Sequence, residues 1–390
     1  MSPLPRPQIE RLRTSDIRLV ANAGLGRSDV LPFWFGEADQ PAAPFIRRAA
    51  AEALEAGLTF YAHNLGRPDL REALGLYLER LHGRSFGDRT LAITSSGVNA
   101  LMLSCQAVVE PGDRVVVVTP VWPNLVEIPK ILSAEVVEVA LRPFQGRWTL
   151  DLDELLSALT PRTRLLVLNS PNNPTGWVLP ATARGPILER CRAIGAWLLA
   201  DDVYERLTYG ALATAPSFLT MAEPEDRLIS TNSFSKAWRM TGFRLGWIAA
   251  PVGLAKGLGA LIEYNTSCAP DFVQIAGREA LRHGDGEIES FRAELDAARS
   301  ALTAGLKALP GVEVEAPDGG LYVFFKWSCG VGSVALARDI LEKVGLGLAP
   351  GAAFGPVGEG WLRWCFAARP EKNAAGLERL GRYLALSKGG

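Results

Sequence analysis

The amino-acid sequence predicts an α/β protein, with a large domain on a mostly parallel sheet and a smaller α+β domain beside it. Three observations carry that expectation: short apolar runs recur between turn residues, helix-patterned stretches separate them, and the pattern changes character after about residue 286. The apolar runs are Leu91–Thr94, Arg114–Thr119, Leu165–Leu168, Trp197–Ala200, Leu228–Ser230 and Gly246–Ala250. Such runs suit strands that helices cover on both faces. Between them Asn99–Val109, Leu152–Leu159 and Ala183–Ile194 have helical spacing, and this alternation implies βαβ units.

The flanks read differently. Residues 1–35 form an N-terminal arm expected to join the smaller domain, residues 36–286 the large domain, and residues 287–390 the C-terminal α+β domain. From about Glu287 an amphipathic helix runs to Ala308, where Pro310-Gly311 stops it. Strand-like Val312–Glu315 and Leu321–Lys326 flank the turn Pro317-Asp318-Gly319-Gly320. A helix (Ser333–Val344), a strand near Trp361–Phe366 and a closing helix (Glu371–Leu386) complete the unit. No repeat, low-complexity tract or flexible linker interrupts the chain, so the domains are expected to pack directly together.

Composition narrows the function. At 390 residues, with 48% hydrophobic and 21% charged, the chain suits roughly two globular domains and is too apolar for wholesale disorder. Its 41 basic and 42 acidic residues give a net charge of -1, which favours neither nucleic acid nor an anionic membrane as partner. A small anion needs only a few local cations. Cys105, Cys191, Cys268, Cys329 and Cys365 are scattered without a CxxC spacing, which argues against a disulfide framework or a zinc site. His63, His82 and His283 form no metal set; His82 and His283 sit at polar helix ends and are expected to be solvated, while His63 neighbours Tyr61. The N-terminus lacks the apolar core of a signal peptide, and no run approaches the roughly 18 apolar residues of a membrane span. A cytoplasmic location is the expectation.

Four segments carry chemistry. In Ser233-Phe234-Ser235-Lys236, a lysine follows a strand end, with Arg244 eight residues on. Desolvation or a nearby cation makes a lysine amine nucleophilic, and Arg244 suits both that task and a phosphate. Ala200-Asp201-Asp202-Val203-Tyr204 sets a carboxylate at the end of a strand, where open α/β sheets bind ligands. A helix N-cap explains either aspartate equally well. Asn169-Ser170-Pro171-Asn172-Asn173-Pro174-Thr175-Gly176 is a tight turn able to aim an amide. Thr94-Ser95-Ser96-Gly97-Val98-Asn99 leads a strand into a helix whose free N–H groups suit an anion. Each segment alone also has a purely structural explanation.

Together, in order and spacing, these segments resemble the class I/II aminotransferases, the fold-type-I pyridoxal 5'-phosphate (PLP) enzymes of the aspartate-aminotransferase kind. The resemblance covers the chain from about Ser15 to the last helix. It implies a seven-stranded, mostly parallel sheet in the large domain. It implies Lys236 as the Schiff-base lysine and proton shuttle, and Asp201 as partner of the pyridine nitrogen. Tyr204 and Asn173 are implied for the cofactor's phenolic oxygen, and Ser96, Gly97, Val98, Ser233 and Arg244 for its phosphate. Trp122 falls where the family stacks an aromatic ring on the cofactor. Tyr61 resembles the tyrosine that reaches the neighbouring subunit's phosphate, which implies a homodimer with shared active sites. Gly36 lines the substrate entrance, Asn173 also faces substrate, and Arg363 holds the α-carboxylate.

The reaction so implied is ping-pong transfer of an amino group from an L-amino acid to a 2-oxo acid. The same cofactor site also serves carbon–sulfur β-lyases, decarboxylases and synthases, and a PLP-sensing DNA-binding regulator would need an extra basic domain. Val98 stands where one aspartate-using branch has a lysine, and Trp34, Phe35, Trp122, His63 and Asn64 add no cation. A neutral or aromatic donor is therefore expected, with 2-oxoglutarate or pyruvate as acceptor. An arginine from a partner's arm, at position 13 or 18, would reverse that expectation.

Overall fold

The computed structural model describes residues 4–87, 89–210 and 212–386. The arm carries a helix, Asp16–Gly24, whose N-cap Ser15 accepts a hydrogen bond from Arg18 N, and a two-residue strand, β1 (Leu31–Pro32). The large sheet follows with β2 (Arg89–Thr94), β3 (Arg114–Thr119), β4 (Glu135–Phe144), β5 (Arg147–Leu150), β6 (Thr163–Asn169), β7 (Trp197–Asp201), β8 (Leu228–Ser233) and β9 (Gly246–Pro251). Their spatial order is β2-β9-β8-β7-β6-β3-β4-β5. Only β9, antiparallel to both neighbours, and the β4–β5 hairpin break the parallel pattern. Without β5 this is the mostly parallel seven-stranded sheet expected; the hairpin adds an eighth strand. Neither β4 nor β5 is visible as an apolar run, because β4 lies near the sheet's edge, half exposed, and interleaves Glu135, Glu138 and Arg142 with its valines.

Successive side chains of a strand point to opposite faces, and here they sort into two cores. Val116, Val118, Leu166, Leu168, Leu198 and Ala200 join the larger one. Val115, Val117, Leu165, Val167 and Leu199 join the other, against helix Gly97–Val108. Apolar residues at every position are thus explained by helices on both sides.

The C-terminal residues form β10 (Val312–Val314), β11 (Tyr322–Trp327), β12 (Leu346–Gly347), β13 (Ala349–Pro350) and β14 (Trp361–Cys365). Four of them make an antiparallel sheet in the order β10-β11-β14-β13, and β12 pairs with β1 of the arm. Helices Asp285–Ala308, Ser333–Val344 and Pro370–Leu386 accompany this sheet. The first ends where expected, and Gly311 takes φ +80° just beyond it.

One histidine differs from expectation. His82 is buried at the end of helix Pro68–His82, its ring 5.9 Å from Phe86 and its Nε2 3.5 Å from Glu205 Oε2. The helix end faces the core, so burial pushes its pKa down to about 4. His283 is exposed beside Glu279. All five cysteines are free; Cys105, Cys191 and Cys365 are buried. Among the described residues no helix is long and apolar enough to cross a membrane.

The topology gathers the chemistry at one side. The C-terminal ends of β2, β3, β6, β7 and β8 point the same way, and antiparallel β9 begins there. Ligands of open α/β sheets bind outside those ends.

Candidate active site

A cavity of about 780 Å³ lies above those strand ends, closed on its other side by the arm and the C-terminal sheet. Gly36, Gly97, Val98, Trp122, Asn173, Asp201, Tyr204, Ser233, Lys236, Arg244 and Arg363 all line it. Ser96 and Tyr61 are not among its walls.

Lys236 lies three residues beyond β8, and its Nζ donates to the carbonyl of Gly36 at 2.5 Å. Burial is the main reason its pKa falls from 10.5 to about 8; Arg363 and Arg244 lower it further, against Cys365 and Glu37. Gly36 packs closely on Tyr322: an added Cβ would lie 1.8 Å from the Tyr322 hydroxyl oxygen, so any side chain here would displace that ring.

Asp201 ends β7 and is buried; burial, then Asp202, raises its pKa from 3.8 to about 7. Asn169 supports it, donating from Nδ2 to the Asp201 carbonyl at 3.1 Å while its Oδ1 accepts from Asn173 N at 2.8 Å. Asp202 faces elsewhere and accepts from Ser230 Oγ at 2.6 Å. The two neighbours therefore separate: one carboxyl opens to the cavity and the other is tied into the core.

Arg363, on β14, is 2% exposed. Its Nη1 donates to Asn173 Oδ1 at 2.8 Å, Nη2 donates to the Trp34 carbonyl, and Nε has no partner among the described residues. Its guanidinium lies 4.3 Å from the centroid of the Tyr322 ring and 4.9 Å from that of Phe354. No carboxylate pairs with it among the described residues, an unusual state for a buried cation. Tyr204 and Tyr322 share a hydrogen bond of 2.8 Å between their hydroxyl oxygens, and burial raises both phenols.

The opposite wall is an anion cradle. Ser96 N-caps helix Gly97–Val108, its Oγ accepting from Asn99 N at 3.0 Å, so its hydroxyl serves the helix. Beyond it Gly97 and Val98 open the helix towards the cavity, with Ser233, Ser235 and Arg244 opposite. Packing here is tight: a Cβ on Gly246 would lie 2.6 Å from Gly97 N, and one on Gly97 3.0 Å from Ser233 Cβ. Arg244 takes a left-handed φ of +53° and donates to the Thr241 carbonyl at 2.6 Å. Tyr61 is 88% exposed on this chain, and His63 is also exposed, accepting at Nδ1 from Leu65 N.

Sequence reasoning missed Asn169, Tyr322, Ser235, Thr241 and Arg18 as cavity walls. Asn169 and Ser235 stood inside quoted motifs. Tyr322 follows the Gly319-Gly320 turn without any signal of its own. Arg18 belongs to this chain's own arm, so no partner is needed to bring it here.

A half-buried amine of lowered pKa, a buried guanidinium with no carboxylate partner among the described residues and a helix-terminal anion cradle, all above an open α/β sheet, suit an enzyme acting on small anionic substrates. The model for aminotransferases of class I and II matches residues 28–380, and the chain belongs to that family. An aspartate aminotransferase of Pyrococcus horikoshii is 32% identical over 376 residues, covering 96% of this chain and 95% of that protein. An aspartate/prephenate aminotransferase of Thermus thermophilus is 32% identical, covering 91% of each. The crystal structure of an aromatic aminotransferase from Pyrococcus horikoshii superposes with a TM-score of 0.86 at 30% identity, covering 93% of this chain and 97% of that one. The protein is a PLP-dependent aminotransferase, moving an amino group between an amino acid and a 2-oxo acid.

Proposed function

We propose that the 780 Å³ cavity holds both PLP and substrate, and that two half-reactions alternate there. The observation that carries this reading is a pair of cations, half-buried Lys236 and buried Arg363, neither of which has a carboxylate partner among the described residues. The residues present fit the cofactor. Gly97, Val98, Ser233 and Arg244 suit its phosphate, with Ser96 fixing the helix that begins there. Asn173 and Tyr204 suit its phenolic oxygen, and Trp122 its ring face. Asp201 suits its ring nitrogen, since a cationic neighbour would offset the burial that raises this carboxyl. When bound, PLP supplies a covalent handle for the amino nitrogen and an electron sink for the charge left at Cα.

Lys236 is the attachment point and the base that takes the substrate Cα proton; a pKa near 8 leaves roughly a tenth to a fifth of its Nζ neutral near physiological pH, far more than an ordinary lysine has. Arg363 grips the α-carboxylate through a guanidinium already aimed by Asn173 and Trp34, so little ordering is required on binding. Gly36 and Asn173 complete the substrate wall.

Tyr61 and Arg244 are exposed on a single chain. That supports a homodimer in which Tyr61 completes the phosphate cradle of the partner's site. We divide the chain into an arm (1–35), a large PLP-binding domain (36–286) and a small domain (287–390), with the arm tied to the last by the β1–β12 pair. Five unbridged cysteines suit a reducing compartment, and the cytoplasm is the proposed location.

The test is direct. Borohydride reduction of the PLP-loaded enzyme should fix the cofactor's mass on the Lys236 peptide, and Lys236→Ala should lose both that label and turnover. Label on another lysine, or full activity in the variant, would defeat the assignment.

A further inference from the structure

Tyr322 lines the cavity, and the proposed function gives it no task. It opens β11, where antiparallel pairing sets it opposite Cys365 of β14, and sets Phe324 opposite Arg363. Alternate residues of a strand share a face, so Arg363 lies diagonally across from Tyr322. Its guanidinium carbon accordingly stands 4.3 Å from the centroid of the Tyr322 ring. The hydroxyl end is wedged against Gly36, the residue whose carbonyl accepts from Lys236.

That hydroxyl meets a second one. Tyr204 and Tyr322 are both buried, their rings cross at 78° with centroids 5.8 Å apart, and their hydroxyl oxygens are 2.8 Å apart. Two hydroxyls hold two protons, and the bond between them uses one. The other proton belongs to whichever residue accepts, and it is free to point elsewhere. Burial raises both phenols, Tyr322 to about 12, so both keep their protons near neutral pH. Among the charges around Tyr322, Arg363 is foremost in opposing that rise, while Cys365 and Glu37 add to it; Asp201 adds to the rise at Tyr204. The cation over its ring thus makes Tyr322 the more acidic partner and the donor. Tyr204 accepts, with its own proton left for the cavity.

We propose that Tyr322 is a positioning residue for amino transfer: its hydroxyl donates to Tyr204 Oη and so aims the Tyr204 O–H at the cofactor's phenolic oxygen. This rests on the placement of that oxygen at Tyr204. Hydrogen bonds in series polarise one another, so Tyr204 donates more strongly than it would alone. A donor at the phenolic oxygen stabilises negative charge there, which eases loss of the proton held between that oxygen and the Lys236 nitrogen. The ring of the same residue lies under the guanidinium that grips the α-carboxylate, so one side chain reaches both ends of the reacting group.

The experiment follows the visible absorbance of the PLP-loaded enzyme against pH in the parent, Tyr322→Phe, Tyr204→Phe and the double variant. Phenylalanine keeps the ring beneath Arg363 and removes only the hydroxyl. Tyr204→Phe should raise the titration midpoint by about one unit or more, and Tyr322→Phe by about half a unit. The double variant should move no further than Tyr204→Phe alone, because the outer hydroxyl acts through the inner one. For Tyr322→Phe, kcat should fall about three- to tenfold while the donor KM stays within about twofold. Incorporating 3-fluorotyrosine at position 322, a more acidic phenol and a stronger donor, should lower the midpoint; this arm holds even if Tyr322→Phe fails to load the cofactor. An unmoved midpoint in Tyr322→Phe beside a shifted one in Tyr204→Phe, additive shifts in the double variant, or a rise with the fluorinated residue would overturn the proposal. An unmoved midpoint in Tyr204→Phe would instead fault the placement of the phenolic oxygen, and the proposal falls with it.

Discussion

Arg363 donates from Nη1 to Oδ1 of Asn173 at 2.8 Å, joining the C-terminal sheet to the turn after β6. The bond fixes the guanidinium plane before any substrate arrives. Replacing Arg363 by Ala should therefore lower kcat/KM for every amino donor by about 10²–10³-fold, the range for truncating one partner of a buried charged pair. Arg363→Lys should rescue little, because a single ammonium cannot grip a carboxylate with two parallel bonds. Steady-state kinetics with three chemically different donors would check this. Loss confined to one donor would mean Arg363 reads a side chain.

The two adjacent aspartates should separate cleanly. Asp201→Asn should reduce turnover at least about 10²-fold while the fold persists, because a neutral amide cannot hold a proton on the ring nitrogen. Asp202→Asn should retain more than about a tenth of activity, since its carboxyl is tied to Ser230. Comparing kcat for the two variants decides between them, and the opposite ranking would exchange their roles.

Asp201 should also write a pH signature on the cofactor-free protein. Its folded pKa of about 7 stands above the ordinary 3.8, so the folded chain keeps a proton that the unfolded chain releases. Stability from this group is thus full below about 4 and declines as pH climbs to about 7. Cofactor-free Asp201→Asn should then melt a few degrees higher than the parent at pH 8, a gain on the order of 1–2 kcal/mol that shrinks as pH falls. Scanning calorimetry across pH would show it; a gap that widens on acidification has the wrong sign.

Lys236 titrates the other way. Its amine, lowered to about 8, is neutral in the folded chain at pH values where an ordinary lysine is still charged. The rate of covalent PLP capture should rise with pH and level off above about 8 to 9, well short of 10.5. Stopped-flow absorbance would follow it, and a rise continuing past pH 10 would place the amine in water.

Mixing Lys236→Ala chains with Tyr61→Phe chains should restore some activity if each lesion is severe. The random mixture contains hybrid dimers in which one site has both its own Lys236 and an intact Tyr61 from across the interface. Sedimentation at assay concentration would establish the assembly. A fully active monomer contradicts the shared site.

Legibility from sequence followed the locality of each signal. Arg114–Thr119 is bounded as expected because Val115 to Val118 are buried on both faces, and Asn173, Asp201 and Lys236 line the cavity because each sits in a short segment at a strand end. Tyr322, packed between Tyr204 and Arg363, had no such signature; its position depends on the pairing of β11 with β14 and on how that sheet meets the large one. His82 misled for a related reason. Polar sequence neighbours suggested solvent, yet the helix turns that residue towards Phe86 and Glu205. Arg18 was seen as a charge on an arm, but only the packing of that helix against Phe35 gives the charge an address.

Pairing of Leu31 in β1 with Leu346 in β12 has a consequence for how the chain is made. A ribosome releases β1 early and its partner more than three hundred residues later, roughly 15–60 s at ordinary elongation rates. Throughout that interval Phe33 and Trp34, buried in the finished enzyme, have no C-terminal sheet to cover them. The nascent arm is thus an apolar ribbon awaiting its mate, the kind of segment on which holding chaperones act. Ribosome-bound chains stalled before Leu346 should be cleaved within the arm by added protease, and released full-length chains should resist it.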